Sequence, residues 1–419
     1  MLRRLGSGAL PAIIAIIAVM SLGLMAYALK TGVPLRYVDE EDYVGIASSL
    51  RNGQGFELNG SPTAYRPPAW PIVLAIFMWL GLPVSLLSGI SALAMITAAV
   101  VAAALGVRVS RSPWGALAGV AVLAYPVNIY TATTLFPQAF ATLLVVTLWL
   151  VALLISDDRA AQTRHSAALY LILGLVASLL ALSVPTLAFT GLAVVVWVVF
   201  AVRGDRIRAA SYTFSALLAP IAVWTVRNMV TLGAPILLST STGVNLLIGN
   251  NPTATGSSGL DIDISGPEHT ASTLGEVDRD AFLRRSALDW ITHHPLDSIM
   301  LYAAKLANYF SPYNEPTTAS EGSTAQRLTA YLVCAVLVLL VITRLLLRRR
   351  LPVVPTERLF LALFLLNAPV MAVFFTRTRF RQPLDSILLI EAAIAIAVIV
   401  GPIAARKASG TRGDGARHA

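Results

Sequence analysis

A single cysteine in 419 residues rules out an internal disulfide. It is Cys334, inside an apolar run, where the plain reading is a small buried hydrophobe. Five histidines without paired spacing leave no metal signature of the usual kinds. Charged residues make up only 13% of the chain, about half of the roughly one quarter usual in a soluble domain. Runs that alternate apolar and polar residues are missing too, which argues against an outer-membrane barrel. No internal repeat is evident, and no pair of Gly/Pro-interrupted helices recurs in matching halves, as an inverted-repeat transporter would require.

What is present is apolar chain: 56% hydrophobic residues, a mean hydropathy of +0.73, and runs long enough to cross a hydrocarbon core along the whole sequence. The expected fold class is an all-α polytopic membrane protein. A net charge of +9 would suit a nucleic-acid partner, but its distribution does not. The basic residues cluster between apolar runs, in "RVSRS", "RGDRIR", "RLLLRRR" and "ARKASGTRGDGARHA". That is the pattern of cytoplasmic segments under the positive-inside rule, so no nucleic acid is expected. "MLRR" and the apolar stretch after it look like a signal peptide. The stretch is longer than a usual h-region and lacks a clear cleavage site, and so reads as a first span that starts in the cytoplasm.

Further spans are expected at 88–107, 113–130, 138–156, 167–184, 186–202, 210–227, 326–346, 358–376 and 384–403, about ten in all. "AWPIVLAIFMWLGL" is too short to span and reads as a re-entrant or juxtamembrane helix. Kept on the outer side, it lets the basic turns fall inside and leaves two outer loops, about 30–87 and 231–325. The organisation is then one transmembrane domain over 1–403, with both termini cytoplasmic and a basic tail, 404–419, expected to be disordered. Richness in Ala, Val, Leu and Arg hints at a GC-rich bacterium, whose inner membrane would house the chain. In the second outer loop "STSTGVNLLIGNNPTATGSSGLDIDISG" reads as turns and irregular chain. Two amphipathic helices separated by "HHP" follow it. Phe282, Leu283, Leu288, Trp290 and Ile291 set the first against the membrane surface.

The chemistry sits in the outer loops. "VDEEDYVGIASSLRNG" carries four adjacent acids within a few residues of a membrane end. As a helix it places Asp39 and Asp42 on one face with Tyr43 and Ile46, turned inward, and leaves Glu40 and Glu41 to solvent. A solvated charge run is the plain alternative. A carboxylate held between protein and headgroups is a candidate general base, because partial desolvation tunes its pKa. "YRPPAWP" holds Arg66 where two prolines fix the entering chain. "FFTRTRFRQP" holds Arg377, Arg379 and Arg381 at alternating positions, which an extended chain would point the same way. Arginine forks suit phosphate oxygens, and headgroup anchoring is the plain alternative. Arg227 and Asn228 either join that cluster or cap their helix. Asn250 and Asn251, with Asp42 and Tyr43, are candidate substrate-binding residues. Asp385 is expected to pair with Arg381, and Glu391 lies deeper with no partner nameable from sequence. Together these residues suggest displacement of a lipid phosphate by an acceptor hydroxyl at the outer surface.

At these residues the sequence resembles the GT-C superfamily of integral membrane glycosyltransferases, the bacterial relatives of protein O-mannosyltransferases and of the lipid A aminoarabinose transferase. "VDEEDYVGIASSLRNGQGF" resembles the family's first-loop Asp-Glu-x-x-Tyr pattern followed by Gly-x-Gly-Phe. "YRPPAWPIVLA" resembles its basic-Pro-Pro motif, and "RNMVTLGAPILLSTSTGVNLLIGNNPTATG" and "TRTRFRQP" resemble two later segments, in the same order. The resemblance implies a GT-C-like bundle and a polyprenyl-phosphate sugar donor among membrane lipids. It also implies an acceptor that is a glycan, a lipid or a protein. It puts Asp39 on the catalytic base and Glu40 on its acidic partner. Arg66 falls where relatives often have a lysine that contacts the lipid phosphate, and Arg379 and Arg381 fall near the late basic motif. Gln138 stands where many relatives carry an acid. That weakens the case for a divalent metal, so no cofactor is expected. The mechanism implied is a single in-line, inverting displacement. Rival readings are a transporter or flippase of lipid-linked sugars, a glycan polymerase or ligase, and a non-catalytic subunit.

Overall fold

A computed structural model describes residues 9–32, 34–157, 165–201, 205–256, 262–313 and 323–414. The "MLRR" start, the turns holding Arg159, Arg164 and Arg203, and residues 257–261 lie outside these. From the N-terminal side, α1 (Ala9–Thr31) leads to α2 (Val38–Arg51), a short hairpin of β1 (Glu57–Leu58) and β2 (Ser61–Pro62), and α3 (Ala69–Trp79). The hairpin is antiparallel, with Glu57 opposite Pro62 and Leu58 opposite Ser61. There follow α4 (Ser88–Ser110), α5 (Leu117–Ala124), α6 (Pro126–Ala132), α7 (Gln138–Asp157), α8 (His165–Ala181), α9 (Ala188–Ala201) and α10 (Arg206–Leu232). The long segment after α10 contains α11 (Thr242–Gly249), α12 (Ser265–Ala271), α13 (Glu276–His293) and α14 (Pro295–Tyr309). The chain then returns to the bundle in α15 (Thr324–Leu346), α16 (Pro355–Ala372) and α17 (Thr378–Asp414).

Six stretches among the described residues are long and apolar enough to cross a bilayer: Ala9–Thr31, Val84–Ser110, Gln138–Ser156, Arg206–Leu232, Thr324–Arg349 and Thr378–Pro402. The chain is an all-α polytopic membrane protein. The interior and the rim separate by burial. The spans of α4, α7 and α17 are 61%, 67% and 67% buried, against 22% for α1 and α10 and 11% for α15. What the rim helices expose is apolar, such as Val19 and Leu22 on α1, Val223 and Val230 on α10, and Leu332 and Leu339 on α15. Such a surface fits lipid tails, which are as apolar as the side chains themselves. With no hydrophobic drive between helices in lipid, close packing has to hold the centre, and small residues permit it. Gly106 of α4 and Gly115 meet so closely that a Cβ on either would run into the other's carbonyl.

The count of spans differs from the ten expected. The segment 113–130 is not one straight helix: α5 and α6 meet at a 60° bend. Pro126 has no N–H to donate and forces Tyr125 into an extended conformation, φ −69° and ψ 119°. Counting that pair as one span gives seven. The other three expected spans are α8, α9 with the turn Pro185–Leu187, and α16, which are shorter or less apolar helices packed among the rest. α3 has 11 residues, about 16 Å of helix, and cannot cross a core about 30 Å thick. It lays Trp70, Leu74 and Met78 against Tyr43 and Ala47 of α2, and exposes Ile76 and Trp79. The segment 231–325, expected as an outer loop, is more ordered than its composition suggests. "TGVNLLIG" forms α11, which buries Leu246 and Leu247 against Leu283 and Ala287 of α13. α17 continues as backbone helix to Asp414, and residues 415–419 of the expected tail lie outside those described.

Candidate active site

Glu40 sets the position of α2. Its carboxylate accepts from the backbone N–H groups of Arg36 (2.8 Å) and Tyr37 (3.2 Å), satisfying donors that a helix start leaves free. It also accepts from Leu135 N at 2.8 Å, which staples α2 to the segment ahead of α7. The expectation that Glu40 faces solvent is therefore wrong: it is 1% exposed, and only Glu41 faces out. The physical reason is that three backbone donors reward burial of this carboxylate more than water would. The inward face is as expected. Asp39 and Asp42, three residues apart, share a side of the helix with the buried Tyr43 and Ile46.

Both acids meet Arg66. Its Nε and one Nη donate to Asp42 Oδ2 at 3.0 and 2.7 Å, and the same Nη donates to Asp39 Oδ1 at 2.6 Å. The guanidinium lies between the rings of Tyr65 and Tyr43, 4.8 and 5.4 Å from their centroids. From the far end of the chain, Arg379 donates to Asp39 Oδ2 at 3.1 Å. Its guanidinium sits over Phe136, 4.2 Å from the centroid, with Nε buried there without an acceptor. Asp39 thus bridges two arginines whose positions in the chain differ by more than 300 residues, and its side chain remains 29% exposed. Burial pushes the Asp39 carboxyl up, but the Arg379 and Arg66 guanidiniums outweigh it and hold it below the ordinary carboxylate value. Burial also pushes the Tyr43 hydroxyl up to about 12, so it stays a proton donor at neutral pH.

The sequence reading missed Arg36. Its Nη donates to Thr133 Oγ1 (2.8 Å) and Thr133 O (3.0 Å), and it lies between the rings of Tyr130 and Tyr37. Tyr37 stacks on Phe136, and the Tyr37 and Tyr130 hydroxyls are in hydrogen-bond contact. A stacked pair of rings, Phe136 and Tyr37, with a cation on each side therefore connects Arg379 to Arg36. Its only sequence signal was the "RY" beside the acids, since Tyr130 and Phe136 come from α6 and the turn after it.

Other candidates separate from this group. The three late arginines do not point the same way, because α17 already begins at Thr378 and the chain is helical rather than extended there. Arg377 lies half-buried in the preceding turn. Arg381 is 5% exposed and pairs with Asp385 at 2.8 Å, as expected, while Tyr125 donates to the other Asp385 oxygen at 2.9 Å. Arg381 also donates to the carbonyls of Tyr309 and Ser311, bracketing α17 to the end of α14. Arg227 joins neither a phosphate cluster nor a helix cap. It donates to Phe56 O (2.6 Å) and Thr63 O (2.7 Å), tying the hairpin to α10, and Asn228 donates to Ile236 O at 2.9 Å. Asn250 and Asn251 are buried. Asn250 bonds Leu246 O, Val373 O and Lys305, while Asn251 bonds Leu247 O and Thr253. Gln138 opens α7 with its Oε1 buried and, among the described residues, without a partner. Glu391 has a neighbour after all, with Arg344 Nε 3.7 Å away and Glu357 bound to the same arginine. An apolar cavity of about 280 Å³ lies between α13, α14 and the turn after α11, lined by Leu246, Leu288, Ile291 and Tyr302, away from Asp39.

No family model matches the chain, and no curated protein does. Among solved structures, the chain is similar to the crystal structure of ArnT from Cupriavidus metallidurans bound to undecaprenyl phosphate. The identity is 14%, over 91% of this chain and 77% of that one, with a TM-score of 0.43.

The arrangement around Asp39 has a definite chemical capacity. A part-exposed carboxylate, ionised at neutral pH, can accept a proton from a hydroxyl. Two guanidiniums converge on it, and among the described residues Arg379 makes a single hydrogen bond, leaving donors for an anion. The tyrosine and phenylalanine rings around them offer faces and low dielectric, which strengthen such contacts.

Proposed function

We propose that the chain is a membrane glycosyltransferase of the GT-C type, moving a sugar from a polyprenyl-phosphate donor to an acceptor hydroxyl. The observation that carries this reading is Asp39 held between Arg66 and Arg379 while still reachable from outside. Asp39 takes the acceptor's proton as its oxygen attacks the anomeric carbon. The bond from that carbon to the phosphate oxygen breaks, and polyprenyl phosphate leaves with the electron pair. One displacement inverts the anomeric centre. Arg66 and Arg379 exchange part of their contact with Asp39 for the phosphate, whose charge grows as the bond breaks. Preorganised donors of this kind contribute on the order of several kcal/mol. Asp42 keeps Arg66 oriented, and Glu40 acts by fixing α2 rather than by touching substrate. On this reading the site faces the periplasmic or extracellular side of a bacterial inner membrane, with both termini in the cytoplasm. The acceptor is a glycan, a lipid or a protein that reaches the site through the two outer segments.

The test uses the full chain in nanodiscs with radiolabelled polyprenyl-phosphate sugars and extracted acceptors. Release of polyprenyl phosphate with transfer of label to acceptor is the expected result. Movement of intact donor across sealed vesicles, without release, would replace this reading with a transporter.

A further inference from the structure

Lys305 lies on α14 and is 1% exposed, yet among the described residues no carboxylate pairs with it. Its Nζ donates to Asn250 Oδ1 (2.8 Å), Phe374 O (3.1 Å) and Gly249 O (3.2 Å), all neutral acceptors. A buried ammonium without a counter-charge is costly, so what it holds together matters. Its acceptors come from two separate places, the end of α11 with the residue after it and the turn between α16 and α17. These are also locked to each other. A Cβ on Gly249 would run into Phe374 O, and Asn250 Nδ2 donates to Val373 O at 3.0 Å. Two residues on, Thr376 donates to Lys305 O (2.8 Å) and accepts, at its carbonyl, from Asn308 (2.6 Å). The next helix carries Arg379 to Asp39. Val373–Arg381 is thus fastened to α14 and the α11 turn along its inner side, and Arg379 is the residue in it that reaches across to α2.

We propose that Lys305 is the positioning residue for Arg379: its ammonium clasps the turn after α16 and so sets where Arg379 meets Asp39 and a phosphate between them. This rests on the reading that Arg379 binds the donor phosphate. The clasp needs all three N–H bonds, and a neutral amine has two and turns a lone pair toward the third carbonyl. Burial lowers the Lys305 pKa to about 8, which brings that loss into an accessible range. The charged and titratable groups on the elements around it are Arg377 of the same turn, Arg379, Arg381 and Asp385 in the first turns of α17, Asp297, Tyr302 and Tyr309 on α14, and on α13 Glu276, Asp278, Asp280 and Asp289 with Arg279, Arg284, Arg285 and His293. α11 carries none, and burial alone accounts for the Lys305 shift. Because the folded value lies below the ordinary one of 10.5, the unfolded chain binds more protons between about pH 8 and 10.5. This group's contribution to stability therefore rises with pH there, opposite in sign to its expected effect on binding.

The test measures binding of undecaprenyl phosphate to the full chain in nanodiscs from about pH 7 to about pH 10, where the phosphate is already dianionic (second pKa about 6). Wild-type affinity falls roughly tenfold as pH passes about 8. Lys305→Met is weak and flat at the wild-type high-pH level. Lys305→Arg, a cation throughout, keeps the low-pH affinity across the range. Arg379→Gln is weak and flat. A wild type without the alkaline fall overturns the inference, as does Lys305→Met with wild-type affinity and pH profile. Both outcomes leave the phosphate role of Arg379 standing as long as Arg379→Gln is weak. If Arg379→Gln binds as wild type does, the reading of the site falls and the role of Lys305 falls with it. Should Lys305→Met not fold, the wild-type and Lys305→Arg profiles decide.

Discussion

Replacing Asp39 with Asn should separate binding from chemistry. Asn keeps the shape and its one oxygen can still accept from one of the two arginines, while its NH2 turns toward the other; α2 itself is held by Glu40 and should survive. It cannot take a proton. General-base catalysis contributes roughly 10²–10⁴-fold, so turnover should fall on the order of a thousandfold. Binding of polyprenyl phosphate should move the other way. Asp39 and a phosphate compete for the same two guanidiniums and repel one another. Unit charges about 4 Å apart interact by roughly 4 kcal/mol at an effective dielectric of 20, and by roughly 1 kcal/mol in bulk water. With Asp39 29% exposed, the repulsion lies between those limits. Asn still holds one of the two arginines through its oxygen, so about 1.4 kcal/mol, a tenfold tightening, is the expected net.

The assay pairs single-turnover release of polyprenyl phosphate with equilibrium binding of the same lipid, on wild type and Asp39→Asn. Turnover within tenfold of wild type would refute Asp39 as the base. Binding that weakens in step with turnover would refute the charge argument, because it would make the Asp39 carboxylate part of the scaffold that holds the arginines.

Three further outcomes are expected. The Asp39 carboxyl is held below its ordinary value of 3.8 by Arg379 and Arg66 against burial, so its ion pairs stabilise the fold fully above that value. That contribution is lost as pH falls through the lower folded pKa. A pH–rate profile should therefore show no acid limb from Asp39 near neutrality, and the acid unfolding of wild type and Asp39→Asn should converge at low pH. Arg66→Lys keeps the charge but loses the fork that spans Asp39 and Asp42 and the flat stacking between Tyr43 and Tyr65. Titration with polyprenyl phosphate should show it binding about tenfold or more weakly. Arg381→Leu leaves Asp385 buried without its cation and should cost about 3–5 kcal/mol, read as a lower melting temperature in detergent. Adding Asp385→Leu should recover much of that loss, which a direct phosphate role for Arg381 would not predict.

The helical membrane class and the inward face of α2 were legible because each depends on spacing along one segment. Apolar run length speaks for the spans, and a three-residue step puts Asp39 and Asp42 side by side. The bend at Pro126 was legible in principle, since proline disfavours helix at the residue before it, yet an apolar run masks such a break. Glu40 was misread because its third donor, Leu135 N, arrives from 95 positions away. Periodicity in α2 carries no information about that donor. The order of α11 was hidden for a similar reason. Its Gly, Asn and Thr residues look like turn composition until α13 supplies an apolar face to cover Leu246 and Leu247.

Arg379 and Arg381 show where such reasoning stops. In an extended chain two residues two apart point the same way, and in a helix they are turned by roughly 200°. A single change of local conformation therefore decides whether "RFR" is one basic patch or two unrelated contacts. The deciding interactions are tertiary: α14 holds the preceding turn through Lys305 and Asn308, so the helix starts at Thr378. Arg379 then reaches Asp39, while Arg381 turns back to Tyr309 and Asp385. The same two side chains, two residues apart, end up serving the site and the scaffold separately.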